Sequence, residues 1–452
     1  MHHYTVIGAG PVGTLMALML ANRGHSVKLI ERRADPRSAP PERGRSINLA
    51  MAARGMLALE HAGLAARVTS ALMPMPGRML HNGAGEQQFL RYGQNDHEII
   101  YALSRERLNR ILIDAAAECP GIELRFGTRC LDVDIAAANV TLRDERDGRD
   151  YHESFDVLLG ADGAGSAVRT ALVARGLVRA QEQPLDHDYK ELIIPPRDIT
   201  PRDASAAHYA FEPRALHIWP RGGYMLIALP NTDGTFTATL FLSRDGDPGF
   251  GRLRSDTAVT RFFDSQFPDA ARAIPDLALQ FAAHPQGRLG TLYCQPWQVD
   301  GRLLLIGDAA HAIVPFHGQG LNCGFEDCRL LDRLLCDPGA HDPGVRQALL
   351  QQFERERRAD TDAIAAMALE NYQEMRDTVR SPEFLRRQAL AARLERAFPG
   401  RFIPRYSMVM FHPEIAYSEA QRRGIAQQRV LDVLLSRTEP DGAEELLEQA
   451  GL

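Results

Sequence analysis

Hydrophobic positions in the first thirty residues switch between two periods. YTVIG (4–8) is a continuous apolar run, as in a buried strand. A Gly-rich turn follows. Pro11 to about Arg23 then carries helical spacing, with Gly24 as its stop, and SVKLIE (26–31) reads as the next strand. Together they predict one βαβ unit. Between 104 and 118, SRERLNRILIDAAAE places charged and apolar residues at helical spacing, with Ser104 as N-cap. FDVLLGADG (155–163) and RLLLIGDAAH (302–311) read as buried strands, each ending in a turn. From 208 to 242 the period becomes two. HYAFEP, ALHIWP, YMLIALP and FTATLFL, separated by Pro and Gly, predict an antiparallel sheet. Helices are predicted from about Gly320 to Leu335 and over 346–380 and 383–397. The tail GAEELLEQAGL is either a short acidic amphipathic helix or disordered.

The order of these elements sets the fold class. An α/β dinucleotide-type (Rossmann-like) fold opens at residue 4 and closes near residue 335, with a different sheet between. The nucleotide domain is therefore discontinuous, over 1–75, 100–180 and 285–340. A mixed, mainly antiparallel sheet domain occupies 76–99 and 181–284 as the natural floor of a substrate pocket, and a helical region covers 341–452. The 452 residues are 45% hydrophobic and 24% charged, with net charge −6 and no basic block, which argues against nucleic acid or an anionic membrane as partner. No apolar run reaches the about 18 residues of a membrane span, and the N-terminus lacks the pattern of a secretory signal. The six cysteines form no CxxC pair and no metal-ligand spacing, so reduced thiols, no metal and a cytoplasmic location are expected.

Gly8-Ala9-Gly10-Pro11-Val12-Gly13 has the spacing of a phosphate-binding turn. Gly8 suits the tight turn, Gly10 lets backbone approach a pyrophosphate, and Gly13 lets the helix pack on the sheet; the helix N-terminus offers unpaired N–H groups to the phosphates. Glu31, at the end of the next strand, can accept both hydroxyls of an adenosine ribose. It would repel the 2′-phosphate that Arg32 and Arg33 could otherwise attract. Gly307-Asp308 closes a later strand where ligands of such sheets bind, although a helix-capping Asp is the plain alternative. Asp162-Gly163 closes another. The loop Pro315-Phe316-His317-Gly318-Gln319-Gly320-Leu321-Asn322 opens a helix whose dipole could stabilise negative charge. His317 reads as a packing or loop-ordering residue, with proton carriage the alternative.

These three motifs, in this order, resemble the FAD-dependent aromatic hydroxylases that have one dinucleotide fold. The resemblance implies that Gly8, Gly10, Gly13 and Glu31 bind the ADP half of FAD, that Asp308 holds the ribityl chain, and that Asp162 is structural or nicotinamide-related. No second GxGxxG occurs, so a nicotinamide cofactor would visit without a domain of its own. GRSINLAMAARG (44–55), RERLNRILIDAA (105–116), YKEL (189–192), ALHIWPRGGYMLIALPN (215–231), GDAAHAIVPFHGQGLNCGFED (307–327), MALENYQEM (367–375) and RFIPRYSMV (401–409) are similar to one branch, the kynurenine 3-monooxygenases, over nearly the whole chain.

That resemblance implies hydroxylation of L-kynurenine to 3-hydroxykynurenine, a step of tryptophan catabolism and pyridine nucleotide synthesis. Non-covalent FAD is reduced by NADPH, and O₂ forms a flavin C4a-hydroperoxide. No acid or base residue is expected to be catalytic; Pro315, Phe316, His317 and Gly318 line the flavin. Arg78 takes the substrate carboxylate with Tyr92 and Asn371. Tyr406 closes the site, and Ile100, Leu216, Met225, Ile227, Phe241 and Met375 wall the ring with Pro315 and Phe316. Arg105, Gly320, Leu321 and Asn322 sit with the cofactor. For Arg78 alone, a solvated surface role is the default. Two other functions remain open: a hydroxylase of a related aromatic amino acid in secondary metabolism, and a non-catalytic flavin redox sensor.

Overall fold

The computed structural model describes residues 2–38, 48–83, 85–197, 209–378, 381–436 and 442–452. Residues 44–47 of the GRSINLA segment, His208 and residues 379–380 lie outside the described residues. The chain divides into two compact units, Met1–Leu72, Leu103–Leu185 and Gly290–Thr361 in the first, and Met73–Ala102, Asp186–Leu289 and Asp362–Leu452 in the second.

The first unit is built on a six-stranded sheet. His3–Ile7 pairs in parallel with Ser26–Ile30 on one side and Val157–Gly160 on the other, and Leu303–Leu305 extends the sheet beyond Val157–Gly160. The Pro11–Asn22 helix follows the first strand, and its Leu15, Met16, Ala17 and Leu20 are buried because apolar residues face nearly all round it. The Arg105–Ala117 helix starts where Ser104 accepts a hydrogen bond from the Arg107 N–H. Gly307, two residues past the last strand, has φ 58°, and a four-residue helix, Asp308–His311, leads on to the Gly320–Leu334 helix.

The second unit centres on a seven-stranded sheet, in which Met225–Pro230 pairs antiparallel with Ala215–Pro220 and with Phe236–Ser243. Ala215–Pro220 then pairs in parallel with Gly77–His81, whose antiparallel partner is Gln87–Arg91. HYAFEP was expected to be a strand of this sheet, but its described part, Tyr209–Pro213, is irregular. Its aromatic residues go inward instead. The Tyr209 hydroxyl donates to the Asn231 carbonyl at 2.8 Å, and Phe211 packs edge-on against Trp219. One face of the sheet, with Trp219, Leu226, Ala228 and Leu240, buries itself against Val259, Phe263, Phe267 and Phe281 of three helices between 256 and 283. Farther on, Pro343–Gln373 is one long helix that widens into a π turn at Glu374–Thr378; Pro382–Ala397 is helical, and the tail forms a helix over Ala443–Gln449. Among the described residues no helix is long and apolar enough to cross a membrane.

Beneath the Trp219 face lies a buried chain of polar groups. His217 Nε2 donates to the Glu212 carbonyl, so its Nδ1 must accept from His81 Nε2, at 2.8 Å in each case. His81 Nδ1 faces Asp269 Oδ2 at 2.8 Å, so His81 and Asp269 share one proton. Trp219 also donates to Asp269. Burial holds His217 neutral, down to about 4. An unfolded chain protonates this histidine below about pH 6.5 while the folded one refuses the proton. The stability it confers is complete above pH 6.5 and is lost as pH falls towards 4, on the order of 3 kcal/mol in all. Urea titrations should show unfolding free energy falling between pH 7 and pH 4.5. His217→Gln, which can keep both hydrogen bonds, should flatten that slope; an equal slope in the variant would assign it elsewhere.

Candidate functional site

The glycines of the N-terminal turn divide by what surrounds them. A Cβ on Gly8 would lie 2.5 Å from the Ala161 carbonyl oxygen, and one on Gly13 would lie 2.0 Å from that of Gly8, so both are required by the fold itself. A Cβ on Gly10 would meet nothing within 4 Å, and its φ of −71° suits any residue. The protein therefore has no internal reason for glycine there, whereas a ligand lying against the backbone gives one. The helix that follows has no side-chain cap and begins with Pro11, leaving its first N–H groups available to phosphate oxygens. Glu31 is buried. Its Oε2 accepts from the Ala9 N–H at 2.9 Å, and its Oε1 accepts from the Arg33 N–H and Nε at 3.0 and 2.9 Å. The carboxylate is thus fixed beside the turn, and Arg33 is paired with it rather than free for a 2′-phosphate.

Asp308 is half-buried at the first position of its short helix, and among the described residues no donor binds its carboxylate. Its Oδ1 lies 3.9 Å from where a Cβ of Gly320 would be, at the start of the Gly320–Leu334 helix, which also lacks a side-chain cap. Phe316 and His317 are buried in the turn before it, and Gly318 has φ 64°. Asn322 ties this turn down: its Oδ1 accepts from the Ala52 N–H at 2.9 Å, while its Nδ2 donates to the Ala50 and Gly318 carbonyls at 2.8 Å. Its side chain orders the loop at the start of the helix. Arg105 is exposed in the first turn of its helix, where a cation opposes the dipole, and among the described residues it has no ion-pair partner. Asp162 caps the Ala167–Ala174 helix by accepting from the Ala167 and Val168 N–H groups at 2.7 and 3.2 Å, a structural use. An uncapped turn of N–H donors with an open Gly10, and two carboxylate acceptors at Glu31 and Asp308, suit an adenine dinucleotide with a polyol chain.

The second unit gathers another set. Strand register places Arg78 beside Leu216, Ile218 beside Ile227, and Met225 beside Phe241. With alternation along each strand, Arg78, Leu216, Met225, Ile227 and Phe241 share the sheet face opposite the Trp219 core. The π turn at Glu374–Thr378 packs on the Ala215–Pro220 strand and is tied there: the Gly222 N–H donates to the Arg376 carbonyl at 3.0 Å and the Gly223 N–H to Asp377 Oδ1 at 2.7 Å. Asn371 and Met375, both buried, lie one turn apart and touch at 3.3 Å. The rings of Tyr92 and Tyr406 stack at 5.3 Å, and burial pushes both phenols well above their ordinary range, so they remain neutral donors. Ile100 is buried on a separate strand pair, opposite Met75.

Arg78 is only 7% exposed, yet among the described residues nothing hydrogen-bonds its guanidinium. Its nearest acid is Glu374, at 4.0 Å, and Phe384 lies 5.9 Å from its Cζ. Burial raises the Glu374 carboxyl, against the pull of Arg78 and Arg405. Glu374 was not among the residues singled out from the sequence. The signal was present: an acid three residues after Asn371, on the turn of helix that carries Met375.

A second missed group lies in the first unit, where His311, Asp327, Glu326, Arg357 and Arg54 form a buried ionic cluster. His311, Cys323 and Asp327 bring three ligand-type atoms within 4.8 Å of one another. Arg357 stands beside two of them, 2.9 Å from Asp327 and 3.2 Å from Cys323 Sγ, and supplies the positive charge there.

The family model described as FAD binding domain matches residues 3–368. Kynurenine 3-monooxygenase of Stenotrophomonas maltophilia (strain K279a) is 46% identical over 94% of this chain and 91% of its own length. That of Myxococcus xanthus (strain DK1622) is 44% identical over 95% and 90%. Among solved structures, P. aeruginosa PqsL in complex with 2-aminobenzoylacetate is 20% identical with a TM-score of 0.66, covering 85% of this chain and 99% of that one, a likeness of fold.

Proposed function

The chain belongs to the kynurenine 3-monooxygenase family of FAD-dependent monooxygenases, and on that footing we propose that Arg78 is its receptor for the carboxylate of L-kynurenine. The reaction is L-kynurenine + NADPH + H⁺ + O₂ → 3-hydroxykynurenine + NADP⁺ + H₂O. FAD, when bound, takes two electrons from NADPH and activates O₂ for transfer of one oxygen atom.

The observation that carries this reading is the buried, unbonded guanidinium of Arg78 on an apolar sheet face. A buried cation lacking hydrogen-bond acceptors is unfavourable unless a ligand supplies them, and a carboxylate does so with two parallel bonds. Tyr92, Tyr406 and Asn371 add neutral hydrogen-bonding groups on elements of the same unit. Glu374, the acid 4.0 Å from Arg78, would meet the substrate ammonium group. Leu216, Met225, Ile227, Phe241 and Met375 offer the aromatic ring apolar contact and keep water from it. The amino group of kynurenine already enriches the neighbouring ring carbon, so no residue need deprotonate the ring. In the first unit Gly10, Glu31 and the open helix start hold the ADP half of FAD, Asp308 the ribityl chain, and Arg105 and the 315–322 loop the flavin side. Six free cysteines suit a reducing compartment.

The test is turnover under ¹⁸O₂. NADPH oxidation should accelerate on adding L-kynurenine, and mass spectrometry should find a product heavier by one ¹⁸O atom. A product without label would overturn the monooxygenase chemistry. Hydroxylation of a different aromatic amine, with kynurenine untouched, would overturn only the substrate.

A further inference from the structure

The two ends of the turn that presents Asp308 are held from beneath by one carboxylate. Asp327, on the Gly320–Leu334 helix, is completely buried. Its Oδ2 accepts from the Gly307 N–H at 3.1 Å and from His311 Nε2 at 2.6 Å, one residue before and three residues after Asp308. Between those two anchors Arg169 Nη1 donates to the Ala309 carbonyl at 2.8 Å, and the chain has little further support of its own. Gly307 has φ 58° and ψ −143°, a conformation that other residues avoid, and the Asp308–His311 helix is a single turn. Asp327 Oδ1 accepts from Arg357 Nε at 2.9 Å. Arg357 Nη1 reaches Glu326 at 2.8 Å, and Arg54 holds the other oxygen of Glu326 at 2.7 Å. Burial works against charge on His311, but the adjacent Asp327 carboxylate outweighs it and holds the imidazole protonated, up to about 10. Burial likewise opposes charge on Asp327, and His311 and Arg357 hold it ionised, down to about 2.

A buried ionic cluster is seldom the most stable filling for a core, since well-packed apolar residues of similar volume often do as well or better. What it provides is direction: three donors, two from the 307–311 turn and one from the Pro343–Gln373 helix, fix one carboxylate, and through it that turn. We propose that Asp327 is a positioning residue for cofactor binding, which clamps Gly307 and His311 so that the Asp308 carboxylate points at the ribityl chain of FAD. The inference rests on the reading of Asp308 given above. Asp327 touches neither cofactor nor substrate in this account; it acts through the turn.

Asp327→Asn has nearly the same volume, but its amide cannot accept from Gly307, His311 and Arg357 at once. Apoprotein titrated with FAD, followed by flavin fluorescence, should show the dissociation constant raised tenfold or more. Hydrogen–deuterium exchange of the peptide covering 303–312 should quicken in the same variant. Arg346→Met serves as control, because Arg346 is a buried arginine of the same unit that binds the Gly301 and Ala340 carbonyls and not the 307–311 turn. It should lower the melting temperature while leaving the FAD dissociation constant within twofold. If Asp327→Asn binds FAD as wild type, or if both variants weaken FAD in proportion to their loss of melting temperature, the proposal falls. Should Asp327→Asn fail to fold, His311→Asn removes one donor and keeps the Gly307 and Arg357 bonds. A few-fold weaker FAD with faster exchange at 303–312 supports the clamp, and no change in either overturns it. Asp308→Ala is titrated alongside. Wild-type FAD affinity in that variant refutes the role of Asp308 first, and that of Asp327 with it; normal loss there and none in Asp327→Asn refutes the clamp alone.

Discussion

Arg78→Ala is expected to weaken L-kynurenine binding by a factor on the order of 10² or more while leaving FAD content unchanged. Removing one member of a buried charge pair typically costs about 3–5 kcal/mol, because the other charge is left without compensation. Here the uncompensated group would be the substrate carboxylate, on an apolar face walled by Leu216, Met225 and Phe241. The protein itself should tolerate the change. Among the described residues the ion-pair partner of Arg78 is Glu374, at 4.0 Å, and burial already raises that carboxyl, so loss of Arg78 lets it take up a proton rather than stand as a buried anion. Arg78→Lys keeps the charge but not the planar fork, and should recover part of the loss. Tyr406→Phe keeps the stacking on Tyr92 and removes one hydroxyl, so it should weaken binding less than Arg78→Ala. The measurement is kynurenine affinity by flavin absorbance change in FAD-loaded enzyme. Wild-type affinity in folded Arg78→Ala would return this residue to a structural role and the substrate assignment with it.

Arg78 and the residues named with it are singled out by resemblance alone, since Arg78 by itself reads as a surface residue; why their arrangement could not be read from local pattern is a matter of range. Local periodicity is enough for the first βαβ unit: Pro11 opens the helix, it ends at Asn22 just before Gly24, and Ser26–Ile30 delivers Glu31 to the turn. Ser104 caps its helix as its residue type suggests. The sheet of the second unit is harder. Its Ala215–Pro220 strand finds a parallel partner at Gly77–His81, some 138 residues earlier, and no short-range pattern encodes such a pairing. HYAFEP shows the opposite failure. Its alternation has the look of a strand, but Tyr209 and Phe211 are used as core residues on an irregular segment. The widening of the long helix at Glu374–Thr378 was likewise hidden, since its sequence reads as continuous helix; π turns of this kind often mark functional sites, and this one carries Glu374 beside Arg78. The Asp327 cluster joins residues from four segments between 54 and 357, and no local pattern in any one of them encodes the meeting.

Gly10→Val is expected to yield a folded, colourless protein that FAD does not restore. The three glycines of the turn make this separable from misfolding. Substitution of Gly8 or Gly13 drives a Cβ into backbone, within 2.5 Å of the Ala161 oxygen or 2.0 Å of the Gly8 oxygen, so those variants should lose stability whatever they bind. At Gly10 an added Cβ meets nothing within 4 Å, and the extended backbone, with ψ 175°, is one that valine favours. The apoprotein should therefore unfold within a few degrees of wild-type apoprotein. The ligand pays instead, because the new side chain fills the space through which the pyrophosphate reaches the first N–H groups of the Pro11–Asn22 helix. Gly10→Ala should fall between, with measurable but weaker FAD binding. Visible absorbance at the flavin bands, before and after incubation with excess FAD, reads the outcome, and circular dichroism confirms the fold. Full flavin content in a folded Gly10→Val protein would move the pyrophosphate away from this turn. Loss of flavin together with loss of fold would show that the open space at Gly10 is needed by the protein and not by its cofactor.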